Sequence, residues 1–269
     1  MIGAIIGDMV GAPYEFETTK QPKNFKIWNG REHFTDDTVM TVAVADALLN
    51  ISKDADEKTV KDAVVQSMQK WGRKYPYESY GIRFGQWLML DDPQPYNSWG
   101  NGSAMRTSSI GWLYPTLERT LEVAKWVAEV THNHEEGIKG AQSVSEAIFL
   151  ARSNMICYKD KEHLKNRLMN DFGYDLNRNC DDIRPTYEFN ESCQETVPQA
   201  MVAFFDGTDF EDVLRNAVSL GGDCDTLTCI ACSIAEAYYH IPFAMREKAI
   251  CRLTSDILGV IDKFYDRVL

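Results

Sequence analysis

Two short strings hold the residues best suited to chemistry. Thr35-Asp-Asp-Thr38 and Gly221-Gly-Asp-Cys-Asp-Thr226 each set two carboxylates beside threonine hydroxyls, and each runs directly into an apolar stretch with helical spacing. Thr and Asp at a helix start satisfy free backbone N–H groups and complement the macrodipole, so each string alone reads first as a good cap. Four carboxylates and several hydroxyls from two helix ends, if brought together, make a hard all-oxygen ligand set of the kind that suits Mg²⁺ or Mn²⁺. With no histidine in either string zinc is disfavoured, and the carboxylate count is enough for two ions sharing bridging groups.

A third string, Trp99-Gly-Asn-Gly-Ser-Ala-Met-Arg106, carries two glycines that can expose backbone N–H groups to phosphate oxygens, although the P-loop spacing is absent. Tyr80-Gly-Ile-Arg83 is a weaker version of the same pattern and reads as mostly structural. Thr131-His-Asn-His134 lacks both the barrel strand expected of an amidohydrolase metal pair and the basic chain expected of a nuclease. A substrate contact and a structural role stay equally open for it. Cys229-Ile-Ala-Cys232 lies within an apolar run with no second pair to complete a zinc site, so buried thiols are expected.

The elements that must position these strings read as helices. Val60, Val64, Met68 and Trp71, and again Val213, Ala217 and Leu220, recur at helical spacing, while alternating strand patterns are scarce. No strand-turn-helix rhythm appears, which sets aside Rossmann and barrel folds. Gly3, Gly7 and Gly11 repeat every four residues and would give one smooth helix face for close packing. Pro13 should end that helix and hand Glu15 to a loop. The stretch from about Tyr158 to Glu191, rich in Asn, Asp and Arg, is the least regular and reads as a surface excursion.

The 269 residues are 44% hydrophobic and 25% charged, an ordinary globular balance, and one domain over residues 1–269 is the default expectation. A formal charge of -12 repels a phosphate backbone, so nucleic acid is disfavoured as a partner. Seven irregularly spaced cysteines and no signal-peptide pattern fit reduced thiols in a cytoplasm. The apolar opening Met1 to Val10 is far shorter than the roughly 20 residues of a membrane span, and a monomer is assumed by default.

In order along nearly the whole chain, Gly7-Asp-Met-Val-Gly-Ala-Pro-Tyr-Glu15, Thr35-Asp-Asp-Thr38, Gly100-Asn-Gly-Ser-Ala-Met-Arg106, Thr131-His132 and Gly221-Gly-Asp-Cys-Asp-Thr226 resemble the ADP-ribosylglycohydrolase family. The resemblance implies an all-α orthogonal helical bundle with a binuclear Mg²⁺ or Mn²⁺ centre at a central cleft. It implies metal ligation by Thr35, Asp36, Asp37, Asp223, Asp225 and Thr226, and catalytic roles for Glu15, Asp36 and Asp37. Substrate contacts are implied for Trp99, Gly100, Asn101, Gly102, Ser103, Met105 and His132, with Trp99 or Tyr187 stacking on adenine. The implied reaction removes ADP-ribose from a modified acceptor, a protein side chain first. A hydrolase of another ribosyl or nucleotide conjugate, and a non-catalytic ADP-ribose binder, are the competing expectations.

Overall fold

The computed structural model describes residues 1–153 and 160–269; their regular elements are all helices, with one isolated bridge between Gly100 and Ser192. The helices are α1 (Ile2–Gly11), α2 (Asp36–Leu49), α3 (Glu57–Lys74), α4 (Ile82–Met89), α5 (Gly102–Met105), α6 (Ile110–Leu113), α7 (Leu117–Glu129) and α8 (Glu135–Ala151). After residue 160 follow α9 (Lys161–Phe172), α10 (Cys180–Ile183), α11 (Cys193–Asp206), α12 (Phe210–Leu220), α13 (Cys224–Tyr238), α14 (Phe243–Ile250) and α15 (Ser255–Val268). None of the described helices is long and apolar enough to cross a membrane.

Two helices lie at the centre. Every residue of α1 is buried, as are Cys224 through Ala235 of α13, because both are largely apolar and their polar side chains, Asp8 and Asp225 among them, are turned to one another's neighbourhood rather than to water. They form the most extensive helix pair in the fold. The glycine stripe explains how close they come: a Cβ at Gly3, Gly7 or Gly11 would lie 2.5, 2.3 or 2.5 Å from backbone carbonyl oxygens of Cys232, Thr228 and Cys224. The packing role expected of these three positions is therefore what the fold uses. Around the central pair the outer helices are amphipathic, and α3 turns Val60, Val64, Met68 and Trp71 inward against α2.

Helix ends follow the local chemistry. The side chains of Thr35, Asp56, Thr116 and Asp209 each accept a backbone N–H at the start of α2, α3, α7 and α12. Pro13 falls in a short 3₁₀ turn, Ala12–Tyr14, that ends the first helix and delivers Glu15 to a loop, as the sequence predicts. Cys229 and Cys232 are fully buried thiols, Cys229 with Asp37 and Asp8 nearby.

The stretch expected to be an irregular excursion is corrected in part; its residues 158 and 159 lie outside the described residues. Asp160 caps α9, which buries Leu164 and Leu168 and stops at Gly173 in a left-handed conformation (φ 68°). Tyr174, Leu176, Cys180, Ile183 and Tyr187 are also buried. Its two-residue apolar stripe is too narrow to stand out against so many polar neighbours, yet it anchors the segment firmly enough to carry Glu191 into the site.

Candidate metal centre and substrate cavity

The N-termini of α2 and α13 meet beside α1, and this junction builds the site. Asp8, fully buried on α1, accepts the Thr35 N–H at 3.0 Å, the Thr35 hydroxyl at 2.8 Å, the Thr38 N–H at 3.1 Å and the Thr38 hydroxyl. One carboxylate thus completes the cap of a helix 27 residues away and fixes how Asp36 and Asp37 are presented. From the other side Thr226 donates its hydroxyl to Asp37 Oδ2 at 2.9 Å, and Asn101 donates to Asp223 Oδ2 at 2.6 Å.

Two triplets of carboxylates result. Oxygens of Asp8, Asp37 and Asp225 lie within 4.8 Å of one another, and so do those of Glu15, Asp223 and Asp225, with Asp225 common to both. Burial and mutual repulsion push the Asp36, Asp37 and Asp225 carboxyls well above the usual range. Burial likewise raises Asp223 to about 6, and burial with the charges of Asp225, Asp8 and Glu191 raises Glu15 to about 8. Asp37 Oδ1 is buried without a hydrogen-bond partner. Clustered carboxylates with no cation among them and an orphaned buried oxygen fit a hard divalent ion at this junction.

Of the six residues expected as ligands, Asp37, Asp223 and Asp225 lie in the triplets. Asp36 and Thr226 line the cavity beside them, and the Thr35 hydroxyl lies at the same junction, 2.8 Å from Asp8 Oδ1 and 3.4 Å from Asp225 Oδ2. Asp8 was not among the expected ligands, and its signal was the one charge in an otherwise apolar helix.

A pH test follows from the raised Glu15. A carboxyl whose folded pKa exceeds its usual 4.5 favours the protonated fold, so its contribution is present below 4.5 and lost as pH rises through about 8. Metal-free protein is expected to lose stability across that window, and Glu15→Gln should flatten the loss in urea titrations at pH 5 and pH 8. An unchanged slope would contradict the placement of Glu15 among these charges.

The carboxylates form one side of a cavity of about 550 Å³, within the roughly 300–1,000 Å³ typical of ligand sites. Gly100, Asn101, Gly102, Met105 and His132, expected to contact substrate, are among its lining residues. His132 is buried, bonds Thr131 Oγ1 through Nδ1 at 2.7 Å, and is held neutral by burial and the nearby Arg106. Its Nε2 faces the glycine turn, where a Cβ at Gly100 or Gly102 would meet it at 3.4 or 3.5 Å. The turn offers fewer donors than its glycines suggest, because the Gly100 N–H goes to Ser98 Oγ and the Asn101 N–H to Glu191 O.

Three expected substrate contacts do not reach the cavity with their side chains. Ser103 donates its hydroxyl to Gly137 O at 2.7 Å, Trp99 is half exposed with its ring beside His134, and Tyr187 is buried behind Gly222. For the two aromatics the reason is positional: the bridge from Gly100 to Ser192 turns the chain at Trp99 outward, and Tyr187 serves the core. Conversely, Tyr80, Gly81, Ile82 and Arg83, read as mostly structural, all line the cavity, together with Phe16 and Glu191.

The family described as ADP-ribosylglycohydrolase matches residues 1–268. The chain is 24% identical to ADP-ribosylhydrolase ARH3 of Mus musculus in an alignment covering 89% of this chain and 82% of that protein. It is 32% identical to an uncharacterized protein of Archaeoglobus fulgidus over 154 residues, 51% of this chain and 48% of that protein, and so aligns with about half of that relative's length. Among solved structures, one titled "ADP-ribosylglycohydrolase-related protein complex" superposes with a TM-score of 0.69 at 21% identity, covering 100% of this chain and 96% of that one.

Proposed function

The chain belongs to the ADP-ribosylglycohydrolase family, and from that premise we propose that residues 1–269 act as one catalytic domain removing ADP-ribose from a modified protein side chain with two Mg²⁺ or Mn²⁺ ions. The observation that carries this reading is the pair of buried carboxylate triplets sharing Asp225 at one side of a cavity of ligand size. Asp8, Asp37 and Asp225 would hold one ion and Glu15, Asp223 and Asp225 the other, with Asp36 and Thr226 beside them. A divalent ion bound there supplies Lewis-acid charge and a bound water acidic enough to serve as nucleophile near neutral pH.

The chain's own residues do the rest. Asn101 and Thr226 orient Asp223 and Asp37 through their hydrogen bonds, so the carboxylates are held before substrate arrives. Glu15 and Asp36 both face the cavity at the junction, and we assign them the general base or acid work of the reaction. Negative charge around the anomeric carbon offsets its developing oxocarbenium character. His132 and the turn from Gly100 to Gly102 line the cavity next to the junction, joined to it by the bond from Asn101 to Asp223, and the diphosphate is expected along this turn.

A linkage panel tests this directly. With Mg²⁺ or Mn²⁺ present, free ADP-ribose is expected from an arginine-linked or a serine-linked ADP-ribosylated protein. Release from neither, with bound metal confirmed, would remove protein side chains as the acceptor.

A further inference from the structure

The cavity is divided by charge, and the division points to a residue that reads the substrate. Six carboxylates line it, Glu15, Asp36, Asp37, Glu191, Asp223 and Asp225, against two arginines, Arg83 and Arg106. The arginines gather at one place. The Arg83 guanidinium stacks 4.8 Å from the Tyr96 ring centroid, Tyr96 packs 6.0 Å from the His132 ring, and burial beside Arg106 keeps His132 neutral. His132 in turn faces Gly100 and Gly102, so Arg83 is linked to the glycine turn through two aromatic rings.

We propose that Arg83 binds the diphosphate of the ADP-ribosyl substrate; this rests on the functional reading above and deepens it. A dianionic diphosphate entering a cavity lined by six carboxylates needs a cation on its own side. The turn supplies only part of what is needed, since the Gly100 and Asn101 N–H groups and the Ser103 hydroxyl already have acceptors and its other N–H groups carry no net charge. Arg106 is 1% exposed and spends Nη2 on Val127 O and Thr131 Oγ1, so its charge contributes from beneath the wall.

Arg83 differs in each respect. It is exposed, it makes one long hydrogen bond to Tyr96 O at 3.3 Å, and among the described residues no carboxylate pairs with it. Most lining carboxylates crowd the metal junction, while this cation on the cavity wall is left without an anion. Its stacking on Tyr96 orients the planar fork and leaves N–H groups for a phosphate, the geometry that distinguishes Arg from Lys in such recognition.

The test is calorimetric titration of ADP-ribose into the metal-loaded protein, wild type against Arg83→Gln and Arg83→Lys, at low and high salt. Arg83→Gln is expected to weaken binding at least about tenfold at low salt and to flatten the salt dependence, while Arg83→Lys recovers part of both. Equal affinity in Arg83→Gln, or equal losses in Gln and Lys variants with an unaltered salt dependence, would overturn the assignment. If wild type itself binds no ADP-ribose, the functional reading falls first and this inference with it.

Discussion

Replacing Asp225 by asparagine is expected to lower ADP-ribose release by at least about 10³-fold while raising the melting temperature of the metal-free protein. Asp225 belongs to both carboxylate triplets, so one substitution weakens both candidate ion sites. A bound metal contributes several kcal/mol of charge stabilisation in reactions of this class, and each 1.4 kcal/mol or so is a decade in rate. The stability effect has the opposite sign. Burial and the charges of Asp223 and Asp8 hold the Asp225 carboxyl far above its usual range, so without metal it destabilises the fold near neutral pH, where the unfolded chain ionises it freely. An amide is nearly the same shape and can still accept the Thr226 N–H, which Asp225 Oδ1 now does at 2.9 Å. Relief of even 1 kcal/mol corresponds to a rise of about 2–4 °C in a chain of this size. Retained activity would contradict the shared-ligand role, and a fall in melting temperature would contradict the electrostatic account of the cluster.

The second large effect is on folding. Gly7→Ala is expected to cost more than about 3 kcal/mol, because the added methyl would meet Thr228 O at 2.3 Å, Thr228 C at 2.6 Å and Cys229 N at 2.8 Å. Overpacking typically costs about 1–3 kcal/mol where side chains can yield, and here the opposing atoms are backbone in the buried part of α13. Separating α1 from α13 would also carry Asp8 away from Asp225, so activity should fall with stability. The informative contrast is Gly259→Ala on α15, where nothing lies within 4 Å of the added Cβ. There the helix-propensity gain of about 0.5–1 kcal/mol should show as a small stabilisation. Urea unfolding of the two variants beside wild type measures both, and a Gly7→Ala midpoint equal to wild type would mean the helices are not in the contact described.

How much of this was written locally in the chain varies from part to part. The two acidic strings were legible because capping chemistry and metal chemistry call for the same residues at a helix start, and the second string supplied the partner for the first. The glycine stripe was legible because a four-residue repeat of missing side chains has a direct geometric meaning on a helix. Asp8 was not assigned a role, since its partners, Thr35 and Thr38, lie about 30 residues away and only the fold shows that one carboxylate caps the other helix. Arg83 and Glu191 were missed for a related reason. Each sits in a segment with weak local pattern, and each enters the cavity only through tertiary contacts: the stack on Tyr96, and the bond from Asn101 N–H to Glu191 O at 2.7 Å. The expected aromatic contacts failed on direction, which residue type and sequence position do not encode.

The most direct test of the central claim is metal back-titration. Protein stripped of metal should release no ADP-ribose from a substrate that the metal-loaded protein cleaves. Adding Mn²⁺ or Mg²⁺ should restore release in step with occupancy of the site around Asp225, and the Asp225→Asn variant should not recover. Full activity in the stripped protein, or recovery by the variant equal to wild type, would contradict a metal-dependent hydrolysis built on these carboxylates.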